Sequence, residues 1–177
     1  MRSTDVVAAQ RLWHDAGMTP TPLTAFGDIH WRSCRFEALS LVELEHIYMA
    51  RQQVFGLEQN CVYQDIDGCD ESSFHLAAWS TMQRMPLAYA RLVNPGVKYT
   101  EPSIGRVVTT AAARGTGLGR ELMRRAIVWS AELFPGQGVR ISAQSRLEAF
   151  YGGMGFVIVG ERYLEDGIPH TEMLLEN

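Results

Sequence analysis

The stretch Arg114-Gly115-Thr116-Gly117-Leu118-Gly119 decides how the rest of this chain is read. It follows Ser103 to Thr110, a run rich in β-branched residues that reads as a strand. It opens a segment in which Leu118, Leu122, Met123, Ala126, Ile127, Trp129 and Leu133 fall at helical spacing, until Pro135 and Gly136 end it. Glycines at a strand-to-helix junction let the main chain approach a ligand closely. The free amides and positive dipole end of the helix then favour phosphate oxygens. The implied ligand is an anion. A P-loop would end in Gly-Lys-Ser/Thr, where this chain has Gly119-Arg120-Glu121, and a dinucleotide fingerprint needs G-x-G-x-x-G, where it has G-x-G-x-G. Both readings fail, while a glycine-rich helix start without a ligand stays open on this motif alone.

Working outward, Phe74 to Ser80 and Pro86 to Val93 read as two strands ahead of the one at Ser103. Ser40-Leu41-Val42-Glu43 has capping-box spacing, and Leu41, Leu44, Ile47, Tyr48, Arg51, Val54 and Phe55 predict a helix over 41–55. Ile29 to Phe36 reads as a first strand, and residues 56–73 as a long polar connection of the kind that often carries function. Downstream, Val139 to Ala143 reads as a strand, Leu147 to Met154 as a short helix closed by Gly155, and Phe156 to Glu161 and Pro169 to Leu175 as strands. That order predicts one α/β (α+β) domain over residues 28–177. Residues 1–27, with a helix-like stretch at Val6 to Trp13 and then Gly17, Pro20 and Pro22, read as an N-terminal extension.

Composition bounds the function classes. The chain has 177 residues, 46% hydrophobic and 20% charged, which fits one folded domain and excludes disorder and fibrous repeats. A net charge of −4 supplies no overall basic field, so neither nucleic acid nor an anionic membrane is an expected partner. No window approaches the ~18 apolar residues of a spanning helix, and no signal peptide is read. Cys34, Cys61 and Cys69 lack C-x-x-C spacing, which argues against a disulfide framework or a metal site, and a cytoplasmic location is expected.

A second constellation follows the glycine loop: Gln144, then Phe150-Tyr151 and Gly155-Phe156. With Arg114, Gly117 and Gly119 these positions resemble the GNAT family of acyl-CoA-dependent N-acetyltransferases, whose motifs read Q/R-x-x-G-x-G/A and N-x-x-A-x-x-L-Y-x-x-x-G-F. Gln144 stands here for the Asn, Leu147 for the Ala and Phe150 for the Leu. Glu58-Gln59-Asn60-Cys61, Tyr63 to Gly68, Ile104-Gly105-Arg106-Val107 and Glu165 to His170 resemble the ElaA-like group within that family.

The resemblance implies a mixed, mostly antiparallel twisted sheet flanked by helices on both faces, with acetyl-CoA as co-substrate and no metal. It implies that the backbone of Val107, Val108 and Thr109 pairs with the pantetheine arm, and that a strand amide polarises the thioester carbonyl. Arg114, Gly115, Thr116, Gly117, Leu118, Gly119 and Arg120 would surround the diphosphate, with Gln144 and Phe150 also on the cofactor side. Tyr151 would protonate the departing thiolate, although Phe150, Tyr151 and Phe156 also suit an aromatic core. The family habit is compatible with a homodimer.

The acceptor side rests on charge. An alkyl amine of pKa ~10.4 must lose a proton before it attacks. Glu58, Asp65, Asp67, Asp70 and Glu71 lie between residues 58 and 73 with no lysine or arginine, whereas Arg106 to Arg125 holds five arginines against Glu121. The expectation is an acidic loop facing a cationic primary amine and a basic segment facing CoA. A solvated loop, or ion pairs with Arg51, Arg91 and Arg106, is the alternative. Glu58, directly or through water, is the first candidate base, with His170 and His75 lesser ones; Asp65, Asp67 and His170 are candidates for binding the acceptor. Arg51-x-x-x-Phe55, Asp67-x-x-Asp70 and Arg91 also resemble acyl-homoserine lactone synthases, although those do not keep the R-x-x-G-x-G loop. A CoA-binding sensor without turnover is the third reading.

Overall fold

The computed structural model describes residues 26–176, so nearly all of the expected extension over 1–27 lies outside the described residues. The elements in chain order are β1 (Ile29–Arg35), α1 (Leu41–Arg51), β2 (Phe74–Ser80), β3 (Ala88–Val93), β4 (Ser103–Thr109), α2 (Leu118–Leu133), β5 (Val139–Gln144), α3 (Glu148–Gly152), β6 (Val157–Ile158), β7 (Tyr163–Glu165) and β8 (Ile168–Leu175). The sheet runs β1-β2-β3-β4-β5-β8-β6, with β7 also on β8. All of its pairs are antiparallel except β4 with β5.

Every residue of β2 and β3 is buried, which requires cover on both faces of the sheet. Phe74, Leu76, Ala78, Ala88, Ala90 and Leu92 pack on one face with Leu118, Leu122, Met123 and Ala126 of α2. Ala77, Trp79 and Tyr89, at the alternate positions, pack on the other with Ile47 of α1 and Val54. Helices therefore flank a mixed, mostly antiparallel sheet, as the resemblance implied.

The capping box at α1 is formed: the Glu43 amide donates to Ser40 Oγ at 3.2 Å, and the Ser40 amide donates to Glu43 Oε2 at 2.9 Å. Regular winding stops at Arg51 rather than 55, and the chain continues as a π-helical segment, Gln52–Glu58. Periodicity could not separate the two windings, because both leave Val54 and Phe55 on the inner side. The connection 56–73 is thus irregular only after Glu58. Two strands near the C-terminus also differ. β6 is two residues long instead of spanning 156–161, and Gly160 follows it at φ 94°. β7 was not read at all, although Asp166 and Gly167, at φ 53° and 78°, form the two-residue turn that joins it to β8.

Candidate active site

The site begins where the sheet opens. Parallel β4 and β5 share one register pair, Ser103 with Arg140, and diverge beyond it. The gap leads into a cavity of about 460 Å³ whose walls include Ile104 and Val107 of β4, Ile141 and Gln144 of β5, and Tyr151 of α3. On its other edge β4 carries a bulge: Val108 pairs with Tyr89 and Gly105 with Arg91, so Arg106 and Val107 together oppose Ala90. The bulge shifts the alternation of side chains, which is why Ile104 and Val107, three residues apart, pack on the same face while Val108 packs on the opposite one. Val108 and Thr109 lie past the bulge and do not line the cavity.

The glycine loop stands at the end of the same strand. Gly115 and Gly117 adopt φ 75° and 88°, a region costly for any residue with a Cβ. A Cβ on Gly119 would lie 3.1 Å from Thr109 Oγ1, so that glycine serves close packing of helix on strand. Thr116 Oγ1 donates to the Ala113 carbonyl at 2.7 Å and accepts from the Leu118 amide at 3.3 Å, which fixes the entry to α2, where Leu118 is buried. Glu121, in the first turn, is held by Arg124 and Arg125 at 2.8 Å each, so its charge is compensated near the positive end of the helix. Arg114 donates to the Thr109 carbonyl at 3.1 Å and pairs with Glu58; Arg120 lies 5.7 Å from the centre of the Phe150 ring. Of the five arginines between 106 and 125, only Arg114 and Arg120 flank the loop.

Tyr151 is buried, with Phe150 and Phe156 edge-on to its ring at 5.1 and 6.0 Å, so it is both aromatic core and cavity wall. Burial pushes its phenol up to about 12, against the field of Arg146. The phenol is therefore protonated at neutral pH and able to donate. Gln144 Nε2 donates to Gln59 Oε1 at 3.0 Å and its Oε1 accepts from Arg146 at 2.9 Å, which joins the end of β5 to the segment after the π-helix.

The acids of the 58–73 segment are taken up largely by arginines. Arg51, fully buried, donates to Asp65 and Asp70 at 2.8 Å each; Arg91 holds Asp67 at 2.7 Å and Asp70 at 2.9 Å; Arg106 reaches Asp65 at 2.7 Å and Asp67 at 2.9 Å. These are the three ion-pair partners left open at the sequence level. Asp67 still lines the cavity, and its carboxyl is held far below the usual range by Arg91, the Cys69 amide and Arg106, against the cost of burial. Asp65 does not line the cavity, and neither does Glu58, which faces Arg114. His170 does, with Nδ1 donating to the Ile168 carbonyl at 2.9 Å. His75 is buried away from it: Nε2 donates to the Asp70 carbonyl at 3.0 Å, so Nδ1 accepts from Tyr89 at 2.8 Å. Sequence reasoning missed Arg106 as a cavity residue. The signal was Gly105 inside a β-branched strand, a mark of a bulge. Among the described residues, no group of three or more His, Cys, Asp or Glu stands close enough to hold a metal ion, and no helix is long and apolar enough to cross a membrane.

A parallel strand pair sharing a single register pair, a glycine-rich helix start after the first of the two strands and a protonated phenol on the cavity wall agree with the arrangement the resemblance implied for acyl-CoA-dependent N-acyltransferases. Comparison with known proteins establishes that class. The chain belongs to the GNAT family: the profile of the Acetyltransferase (GNAT) domain matches residues 44–177. It is 37% identical over 150 residues to Protein ElaA of Escherichia coli, covering 84% of this chain and 97% of that one, and the crystal structure of that ElaA superposes with a TM-score of 0.78. An acyl-CoA N-acyltransferase from Pseudomonas aeruginosa is 43% identical with a TM-score of 0.79, covering 84% of this chain and 99% of that one. The acyl-homoserine lactone synthase LasI, at 14% identity and a TM-score of 0.69, covers 84% of this chain and 90% of its own and shares the fold alone.

Proposed function

We propose that this enzyme transfers an acetyl group from acetyl-CoA to a primary amine by direct attack on the thioester. The observation that carries the reading is the shared cavity: β4, beside the gap to β5, and the protonated Tyr151 line one space, and the glycine loop, which does not itself line it, follows the end of β4. Backbone groups of Val107, Val108 and Thr109 would pair with the pantetheine arm, with Gln144 and Phe150 beside it. Amides of Gly115 to Gly119, with Arg114 and Arg120, would hold the diphosphate. Tyr151 donates its proton to the thiolate as the carbon–sulfur bond breaks. Asp67 and His170 face the acceptor, and Asp65 acts on it only through Arg106. Glu58 accepts the amine proton, directly or through water, once the diphosphate rather than Glu58 holds Arg114.

Free thiol released from acetyl-CoA across a panel of polyamines, amino acid derivatives, aminoglycoside-type amines and lysine peptides tests the reading. Acceptor-dependent thiol supports it. Binding of acetyl-CoA with no thiol for any amine would favour a sensor. The intact Arg114 to Gly119 loop favours CoA over a carrier-protein donor, as in the lactone-synthase reading, and acylation from an acyl carrier protein but not from acyl-CoA would reverse that preference.

A further inference from the structure

Arg106 stands out from the other members of the ion-pair network. It lies on β4 itself, lines the cavity, and adopts φ 52°, the left-handed region unfavourable to a residue with a side chain. Gly105, its neighbour, could take that conformation without strain, yet it is not the residue that does so. The left-handed position is thus occupied by a long charged side chain rather than by the glycine beside it. Its guanidinium spans two carboxylates, Nε at 2.7 Å from Asp65 and Nη2 at 2.9 Å from Asp67, and adds Nη2 to the Asp65 carbonyl at 3.1 Å. The Tyr63 ring packs 5.4 Å from the guanidinium. Both carboxylates are fixed from behind by more rigid elements, Asp65 by Arg51 of α1 and Asp67 by Arg91 of β3. The segment after the π-helix thus acts as a brace that ties α1, β3 and the bulge of β4 together.

A bulge leaves one residue of the longer strand outside the ladder. Here the residues concerned are Arg106 and Val107, opposite Ala90, at the cavity wall. Amide donors stabilise a developing oxyanion in proportion to how firmly they are aimed beforehand. A fork with two fixed nitrogens sets an orientation that a single ammonium cannot.

We propose that Arg106 is a positioning residue for acyl transfer: clamped between Asp65 and Asp67, it sets the β4 bulge so that a main-chain amide of the Arg106–Val107 pair polarises the thioester carbonyl. The proposal rests on the reading that acetyl-CoA lies along β4. It gives the aspartates a role in the donor half of the reaction, beside the place of Asp67 on the acceptor side.

The test is the infrared carbonyl band of acetyl-CoA isotope-labelled at the acetyl carbonyl and bound to the full chain, read beside the calorimetric Kd for CoA and the melting temperature. The wild-type protein shifts the band to lower frequency than free acetyl-CoA. Arg106→Lys and Arg106→Gly bind CoA with little change in Kd but return the band toward its free position, the glycine variant doing so although it accepts the backbone angle without strain. Should Arg106→Lys not fold, Asp67→Asn is read in its place and shows a partial return. A band in the variants identical to the wild-type one overturns the clamp while leaving the acyltransfer reading intact. Absence of any CoA binding by the wild-type protein overturns both.

Discussion

Tyr151 is a residue whose chemistry is set by what surrounds it. Its ring is packed between Phe150 and Phe156, and burial raises the phenol to about 12. In the proposed role of general acid it must hold its proton, so the raised pKa would extend the working range upward, and no fall in kcat from its ionisation is expected below about pH 11. Tyr151→Phe is expected to lower kcat by roughly 10²-fold while leaving the heat of CoA binding unchanged. His75 is the opposite case. Burial, the largest effect, lowers its pKa below 6.5, so the folded protein holds it neutral while the unfolded chain takes up a proton. Its contribution to stability is complete above about pH 6.5 and is lost as the pH falls toward the folded value. The melting temperature should decline on acidification below pH 6.5, and His75→Gln should flatten that slope. At this scale the sequence showed the acids and offered Arg51, Arg91 and Arg106 as partners, but it left pairing and a solvated loop as alternatives. Asp65 and Asp67 stand in plain view, while Arg51, Arg91 and Arg106 reach them only after three separate elements fold together.

At the scale of elements, what was local in the sequence was legible. The capping box at Ser40 and Glu43 marks the start of α1, and Ser40→Ala should cost about 1 kcal/mol. That corresponds to roughly 2–4 °C in melting temperature for a chain of this size. Gly117 was legible as a loop glycine, and its φ of 88° gives the reason. Gly117→Ala should destabilise by about 1–2 kcal/mol and weaken CoA binding in calorimetry. The β4 bulge was marked only by Gly105, and the π-helical segment by nothing, because each shifts the phase of an otherwise ordinary local pattern. β7 was hidden by its length of three residues, too short for a period to show, although the Asp166-Gly167 turn beside it was a usable sign.

For the molecule as a whole, Asp70 is the joint between α1 and the sheet. Its Oδ1 takes hydrogen bonds from both Arg51 and Arg91, and its pKa is lowered by those two cations against the cost of burial. Asp70→Ala leaves two buried guanidiniums short of a counter-charge and should destabilise by about 3–5 kcal/mol in denaturant titration. Asp67 and Asp70 both have depressed folded pKa values, so the stability they supply is present above about pH 4 and is lost as the pH falls through the folded values. Acid unfolding of the wild-type protein should begin there. The mixed, mostly antiparallel sheet and the covering of both its faces followed from element order together with the resemblance, whereas the order of its strands did not. The brace across the cavity did not, because it depends on side chains meeting over long stretches of chain.

β4 and β5 meet at a single rung, so the strands β5 to β8 are hinged to the first four along a seam rather than sewn to them. Amides on the β4 side of that seam should exchange with deuterium quickly in the free enzyme and slow markedly when CoA is added. On that view the donor substrate works as a removable stitch: the two leaves of the sheet become one fabric only for the lifetime of each turnover.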